Sequence, residues 1–128
     1  SNVVQSVKEY GIVVVVNDAS SDKTKQMAES AGAIVINHKD NKGYDDALNS
    51  GFKKAKELKC DAVITFDADG QHKSILLFQY IDELKKGADL VLGIRPKTQR
   101  LSELIFKIYT KTRLNWSDPL CGMKGYSM

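Results

Sequence analysis

Asp61-Ala62-Val63-Ile64-Thr65-Phe66-Asp67-Ala68-Asp69-Gly70-Gln71-His72 decides the reading of this chain. An apolar run climbs to two carboxylates one residue apart, followed at once by Gly, Gln and His. In an extended segment, residues i and i+2 point to the same side, so Asp67 and Asp69 are expected to converge just past the end of a buried strand. Two like charges held together cost free energy unless a cation or protons sit between them. Oxygen donors of this kind suit Mg²⁺ or Mn²⁺, which commonly take one or two carboxylates plus substrate phosphates. The plainer alternative is a turn with two solvated acids, since Asp-Gly is a common turn dipeptide.

Outward from this stretch, short β-branched runs alternate with longer segments of helical period. Strands are expected at Ile12–Asn17, Ala33–Asn37, Ala62–Asp67 and Asp89–Gly93, and helices at Asn2–Tyr10, Ser21–Ala31, Tyr44–Leu58, Ser74–Lys86 and Thr98–Arg113. Ser20 or Ser21 is expected to cap the second helix, with Asp22 in its first turn. Strands nearly free of polar residues, alternating with helices, predict an α/β fold with a mostly parallel sheet covered on both faces. In such open sheets ligands bind beyond the carboxyl ends of the strands. Three polar clusters follow strand ends: Asn17-Asp18, Asp67-Ala68-Asp69 and Arg95. Their coincidence predicts one composite site. The chain opens on a helical segment, so a further strand is expected before Ser1, and the unpaired first helix leaves room for a homodimer.

At 128 residues the chain reads as one domain, 1–128, large enough for a hydrophobic core. Its formal charge of 19 − 16 = +3 is too modest to indicate a nucleic-acid partner. The charge is uneven: residues 95–128 carry seven basic and two acidic side chains, and this end suits phosphate or an anionic membrane surface, or plain solvation. Cys60 and Cys121 show neither metal-ligand spacing nor a disulfide framework, which fits a reducing, intracellular setting. No apolar run approaches the roughly 20 residues that span a bilayer, and no signal peptide is visible. In Thr98–Arg113, Leu101, Leu104, Ile105, Ile108 and Tyr109 follow helical spacing with Arg100, Lys107 and Lys111 off the stripe. A core-facing helix is the favoured explanation, and a basic helix at a membrane interface, with Phe106 and Trp116 as added apolar contacts, is the sharper one.

Several ordered motifs resemble those of family 2 glycosyltransferases with the GT-A fold. Val15-Val16-Asn17-Asp18-Ala19-Ser20-Ser21-Asp22-Lys23-Thr24 is similar to the family's "VVDDGSxDxT", and Asn41-Lys42-Gly43-Tyr44-Asp45-Asp46-Ala47-Leu48-Asn49-Ser50-Gly51 to "NxGxxxAxNxG". Asp67-Ala68-Asp69-Gly70-Gln71-His72 matches "DxDGQH", Leu92-Gly93-Ile94-Arg95 resembles "xGSR", and Asp118-Pro119-Leu120-Cys121-Gly122-Met123-Lys124 resembles "DxxSGFR". The last three are similar to the branch containing dolichol-phosphate and other polyprenyl-phosphate sugar transferases.

The resemblance implies an inverting, metal-dependent transfer of a hexose from a nucleoside diphosphate sugar to a polyprenyl phosphate at the cytoplasmic face of a membrane. It places Asp18 on the nucleotide base, Asn41 and Gly43 in the donor-binding loop, and Asp67, Asp69 and Gln71 around Mg²⁺ or Mn²⁺, Asp67 also serving the donor. On the residues alone, Asp18 is also a turn or helix-start residue, Arg95 a surface ion pair, and Asp118 a turn starter before Pro119. A phosphate acceptor is already ionised and needs positioning, which the fork of Arg95 suits; a hydroxyl acceptor needs a general base, for which Asp118 is the best-placed acid. Asp69, Arg95 and Asp118 are thus the catalytic candidates, and His72 lines the site or caps the following helix. The rivals are a family 2 enzyme acting on a saccharide hydroxyl and a non-catalytic nucleotide-sugar-binding module. A sugar-phosphate nucleotidyltransferase is disfavoured, because no Gly-rich loop followed by a basic residue lies near the start. The chain departs from the pattern in lacking a "PAYNE"-like first strand, in Asn17 and Ala19, in Asp45-Asp46, and in Met123-Lys124 for "FR".

Overall fold

The computed structural model describes residues 2–20, 23–67, 73–94, 111 and 121–128. Strand β1 (Val14–Asp18) runs parallel to β2 (Ile34–His38), with Val14 opposite Ile34 at one end and Asp18 opposite His38 at the other. A second sheet has the order β3 (Ala62–Thr65), β5 (Lys124–Ser127), β4 (Leu90–Leu92), and β5 is antiparallel to both neighbours. Helices α1 (Asn2–Val7), α2 (Thr24–Ser30), α3 (Tyr44–Glu57) and α4 (Leu77–Lys85) alternate with the first four strands as the sequence pattern predicts.

Three expectations are corrected. No strand was foreseen after Gly93, yet β5 lies between β3 and β4, so the ladders of this second sheet are antiparallel rather than parallel. Lys124-Gly125-Tyr126-Ser127 is short and contains a glycine; its ladder partners, not its own propensity, make it a strand. Helix α2 begins at Thr24, with Lys23 at its N-cap and no side-chain cap. Ser20 does not cap it and belongs to the preceding turn, where its backbone N–H donates to Asn17 Oδ1 at 3.2 Å and Ala19 adopts φ 59°. Helix α1 stops at Val7, and its last turn tightens as Tyr10 N–H donates to Val7 O at 3.0 Å. The expected helix over Thr98–Arg113 falls outside the described residues except for Lys111.

Two apolar clusters form the core. Val4, Ala28 and Ala31 pack with Val13, Val15, Ala33 and Val35 beside the first sheet. Leu77, Tyr80, Cys121 and Met123 pack with Val7, Tyr10, Ile64, Phe66 and Val91 beside the second. The segment of α1 therefore serves both, with Val4 on one side and Val7 on the other. Helix α4 reaches its cluster by the i, i+3 repeat of Leu77 and Tyr80. Tyr80 is buried by its ring, and its hydroxyl donates to Met123 O at 3.0 Å, so the burial leaves no polar orphan.

Helix α3 braces the two sheets. Its acids Asp45 and Asp46 lie in the first turn and its lysines Lys54 and Lys56 in the last, each favourable to the helix dipole. Gly51 faces Val16 of β1, and one residue on, the Phe52 ring meets Tyr126 of β5 edge-on at 5.0 Å and 85°. No β-ladder joins β1 to β3 among the described residues. Among them, too, no helix is long and apolar enough to cross a membrane.

Candidate active site

At the carboxyl ends of β1 and β2 the parallel register sets Asp18 directly beside His38. His38 is 8 % exposed, and its Nδ1 lies 2.6 Å from Asp18 Oδ1. An ionised carboxylate only accepts, so Nδ1 carries the proton of this bond. The ring's other nitrogen, Nε2, lies 2.9 Å from Ser50 Oγ on α3. Asp18 also gathers the loop leading into α3. Lys42 N–H donates to Oδ1 at 2.9 Å and to Oδ2 at 3.1 Å, and Gly43 N–H donates to Oδ2 at 2.8 Å. The Lys42 amide first, then His38, and after them the Gly43 amide, hold the Asp18 carboxyl below the usual carboxylate range against partial desolvation.

Asn41 and Gly43 join the same network. The Asn41 side-chain oxygen accepts from Gly43 N–H at 3.1 Å, folding the loop on itself. Gly43 sits at φ 87°, in the left-handed region where a Cβ is costly, and starts α3 there. Asp45 and Asp46 are exposed on the helix. Asn17, in place of the family's first acid, is 5 % exposed and donates through Nδ2 to Asn37 Oδ1 at 2.6 Å across the ladder.

Asp67 lies two residues beyond β3, with its carboxylate directly over the Cα of Gly122. A Cβ at residue 122 would overlap that carboxylate, which gives the glycine of the last motif a physical reason. Thr65 secures the approach: its Oγ1 donates to Gly122 O at 2.7 Å and accepts from Lys124 N–H at 3.1 Å. Tyr44 is the first residue of α3. Partial desolvation, followed by the negative charge of Asp67, pushes its phenol above the usual value, so the two groups lie within electrostatic reach. One helix start thus carries Gly43, bound to Asp18, and Tyr44, which feels the charge of Asp67.

The structure therefore brings together Asp18, Asn41 and Gly43, with Asp67 nearby; Asp69, Gln71, His72, Arg95 and Asp118 lie outside the described residues. Among the described residues no three metal-ligating side chains gather. Asp67 contributes a hard carboxylate oxygen, the donor class that suits Mg²⁺ or Mn²⁺ when phosphate supplies further oxygens. Sequence reasoning missed His38, Ser50 and Tyr44 as single residues. His38 is detectable only once the β1–β2 register is known, because the pairing is parallel and spans twenty residues.

Comparison with known proteins finds glycosyltransferases. The chain is 37% identical over 119 residues to the UDP-N-acetylglucosamine--dolichyl-phosphate N-acetylglucosaminyltransferase of Methanococcus voltae, a match covering 77% of this chain and 47% of that protein. It is 28% identical over 131 residues to the undecaprenyl-phosphate mannosyltransferase of Micrococcus luteus, covering 89% and 54%. Among solved structures, glucosyl-3-phosphoglycerate synthase from Mycobacterium tuberculosis in complex with phosphoglyceric acid superimposes with a TM-score of 0.79 at 20% identity, over 98% of this chain and 50% of that one. That likeness establishes a GT-A-like fold. The chain spans about half the length of these relatives. The profile of "Glycosyl transferase family 2" matches residues 3–122, and the chain belongs to that family.

Proposed function

We propose that this chain is the donor-binding part, residues 1–128, of an inverting hexosyltransferase that takes its sugar from a nucleoside diphosphate sugar and passes it to a polyprenyl phosphate at the cytoplasmic membrane face. The single observation that carries the reading is the Asp18 network at the carboxyl ends of β1 and β2, which clasps the 41–43 loop at the start of α3. Asp18 offers a carboxylate to a base N–H, uracil imide or guanine edge, while Asn41 and Gly43 shape the loop beside it. The names of the Methanococcus and Micrococcus relatives support a polyprenyl-phosphate acceptor.

Mg²⁺ or Mn²⁺ would be held by Asp67 with Asp69 and Gln71. When bound, such an ion stabilises the negative charge that accumulates on the departing nucleoside diphosphate. The chain's own residues do the rest. Asp18 and the 41–43 loop orient the nucleotide, and Gly122 leaves room for the Asp67 carboxylate to face the diphosphate. Arg95 pairs with the acceptor phosphate, whose ionised oxygen needs no base; Asp118 serves as base where the acceptor is a hydroxyl. The test is transfer by the full chain with acceptors in competition. Asp69→Ala should abolish transfer, and Arg95→Ala should mainly raise the acceptor KM. Full activity in Asp69→Ala would end the metal assignment, and preference for a saccharide hydroxyl would replace the acceptor.

A further inference from the structure

We infer that His38 is a positioning residue for the nucleotide: without touching it, the imidazole holds the Asp18 carboxylate in the one orientation that both clasps the 41–43 loop and leaves an acceptor site for the base. The inference rests on the reading of Asp18 given above, but it concerns a residue that no motif names.

The geometry that carries it is a chain of four groups. Asp18 Oδ1 binds His38 Nδ1 at 2.6 Å, His38 Nε2 meets Ser50 Oγ at 2.9 Å, and Ser50 Oγ donates to Asp46 O at 2.9 Å within α3. The ring is buried and gripped at both nitrogens, so it cannot turn without losing two bonds at once. It therefore connects the end of β1, the end of β2 and the body of α3. Its effect on Asp18 is visible in the acceptor count. A carboxylate has about four lone-pair sites. Three donors occupy Asp18: His38 and Lys42 on Oδ1, and Gly43 on Oδ2, with Lys42 leaning toward both. Oδ1 carries two full donors, whereas Oδ2 carries Gly43 and only the longer arm of the shared Lys42 bond, so the larger remaining capacity lies on Oδ2. An incoming base N–H is thus directed to Oδ2, beside the start of α3. Remove the imidazole and only the Lys42 and Gly43 amides hold the carboxylate, so its rotation about the Cβ–Cγ bond is less restrained.

Two replacements separate positioning from mere filling of space. Asparagine places an amide N–H near the site of Nδ1, whereas glutamine places one near the site of Nε2. Calorimetric titration of the full chain with UDP and with GDP, each with Mn²⁺, reads the effect directly. Loss of a hydrogen bond to a charged group corresponds to roughly a tenfold or greater loss of affinity. Asp18→Ala and His38→Leu are each expected to weaken binding at least about tenfold. His38→Asn is expected to recover affinity to within about threefold, and His38→Gln is not. In transfer assays the loss should fall on donor KM, with kcat at saturating donor nearly unchanged. Should His38→Leu fail to fold, the Asn and Gln pair decides alone. The inference is overturned if His38→Leu binds like the wild type, if His38→Gln restores affinity as well as His38→Asn does, or if His38→Asn restores none. Wild-type affinity in Asp18→Ala, or no binding of either nucleotide to the unaltered protein, would instead overturn the functional reading beneath it.

Discussion

The two halves of the molecule hold their parts of the site by different means. Around β1 and β2, polar groups close on one another over short stretches of chain: Asp18 on His38 twenty residues away, His38 on Ser50 twelve residues away, Asn41 on Gly43 two residues away. Around β3, β5 and β4, the acid Asp67 depends on a segment more than fifty residues downstream, through Thr65 to Gly122 and through a cluster centred on Met123. The first half is a hydrogen-bonded clasp, and the second is an apolar core with one acid at its rim. Damage to the first should therefore appear in affinity and acid sensitivity. Damage to the second should appear in stability and in the placement of Asp67.

The largest effect is expected from Met123→Ala. Met123 is 1 % exposed, and such truncations leave a cavity costing about 3 kcal/mol. Denaturant unfolding should show the loss. A change under about 1 kcal/mol would mean that the second half collapses around the gap and is not the tight core described. Gly122→Ala tests the same half without hollowing it. The added methyl must displace the Asp67 carboxylate, and a misplacement of about 1 Å at a reacting centre can cost about 100-fold in rate. Steady-state transfer should fall accordingly; wild-type turnover would detach Asp67 from the chemistry.

Asp18→Asn probes the clasp through acid. The folded Asp18 carboxyl is held below its ordinary value, by the Lys42 amide first and then by His38. Unfolded chains therefore bind a proton near pH 4 where the folded one does not. The contribution is complete at neutral pH and is lost as pH falls through the depressed folded value. Acid unfolding of Asp18→Asn should accordingly show a shallower loss of stability below about pH 4 than the wild type does. Identical acid limbs would remove Asp18 from the balance. The smallest effect is expected from Ala19→Gly. Ala19 holds φ 59° in the turn after β1, a conformation that penalises a Cβ. Glycine should stabilise this half by about 0.5 kcal/mol, because its greater freedom when unfolded offsets part of the relief. Thermal unfolding would register it, and a destabilisation would show that the turn relies on the alanine methyl.

The contrast between the halves also explains what could be read in advance. The alternation of β-branched runs and helical periods located β1 to β4 and the helices between them, because period and propensity are local properties. The motifs pointed to Asp18, Asn41, Gly43 and Asp67, and the first three meet in one network beyond the carboxyl ends of β1 and β2. Helix α2 was misjudged at its start because Ser20 belongs to the turn closed on Asn17 and the first helical residue is Thr24, with Lys23 at the N-cap. Strand β5 was missed because four residues with a glycine carry almost no strand signal of their own.

Residues alone indicated the family, the order of the elements as far as β4 and the acids of the candidate site. Tertiary structure decided which of those groups meet. It paired His38 with Asp18 by strand register, set Gly122 beneath Asp67 and slid β5 between β3 and β4. Each of these contacts joins positions far apart in the chain, and no local periodicity encodes a distance between them. They follow from burial and hydrogen-bond satisfaction, which are settled only when the whole chain has packed.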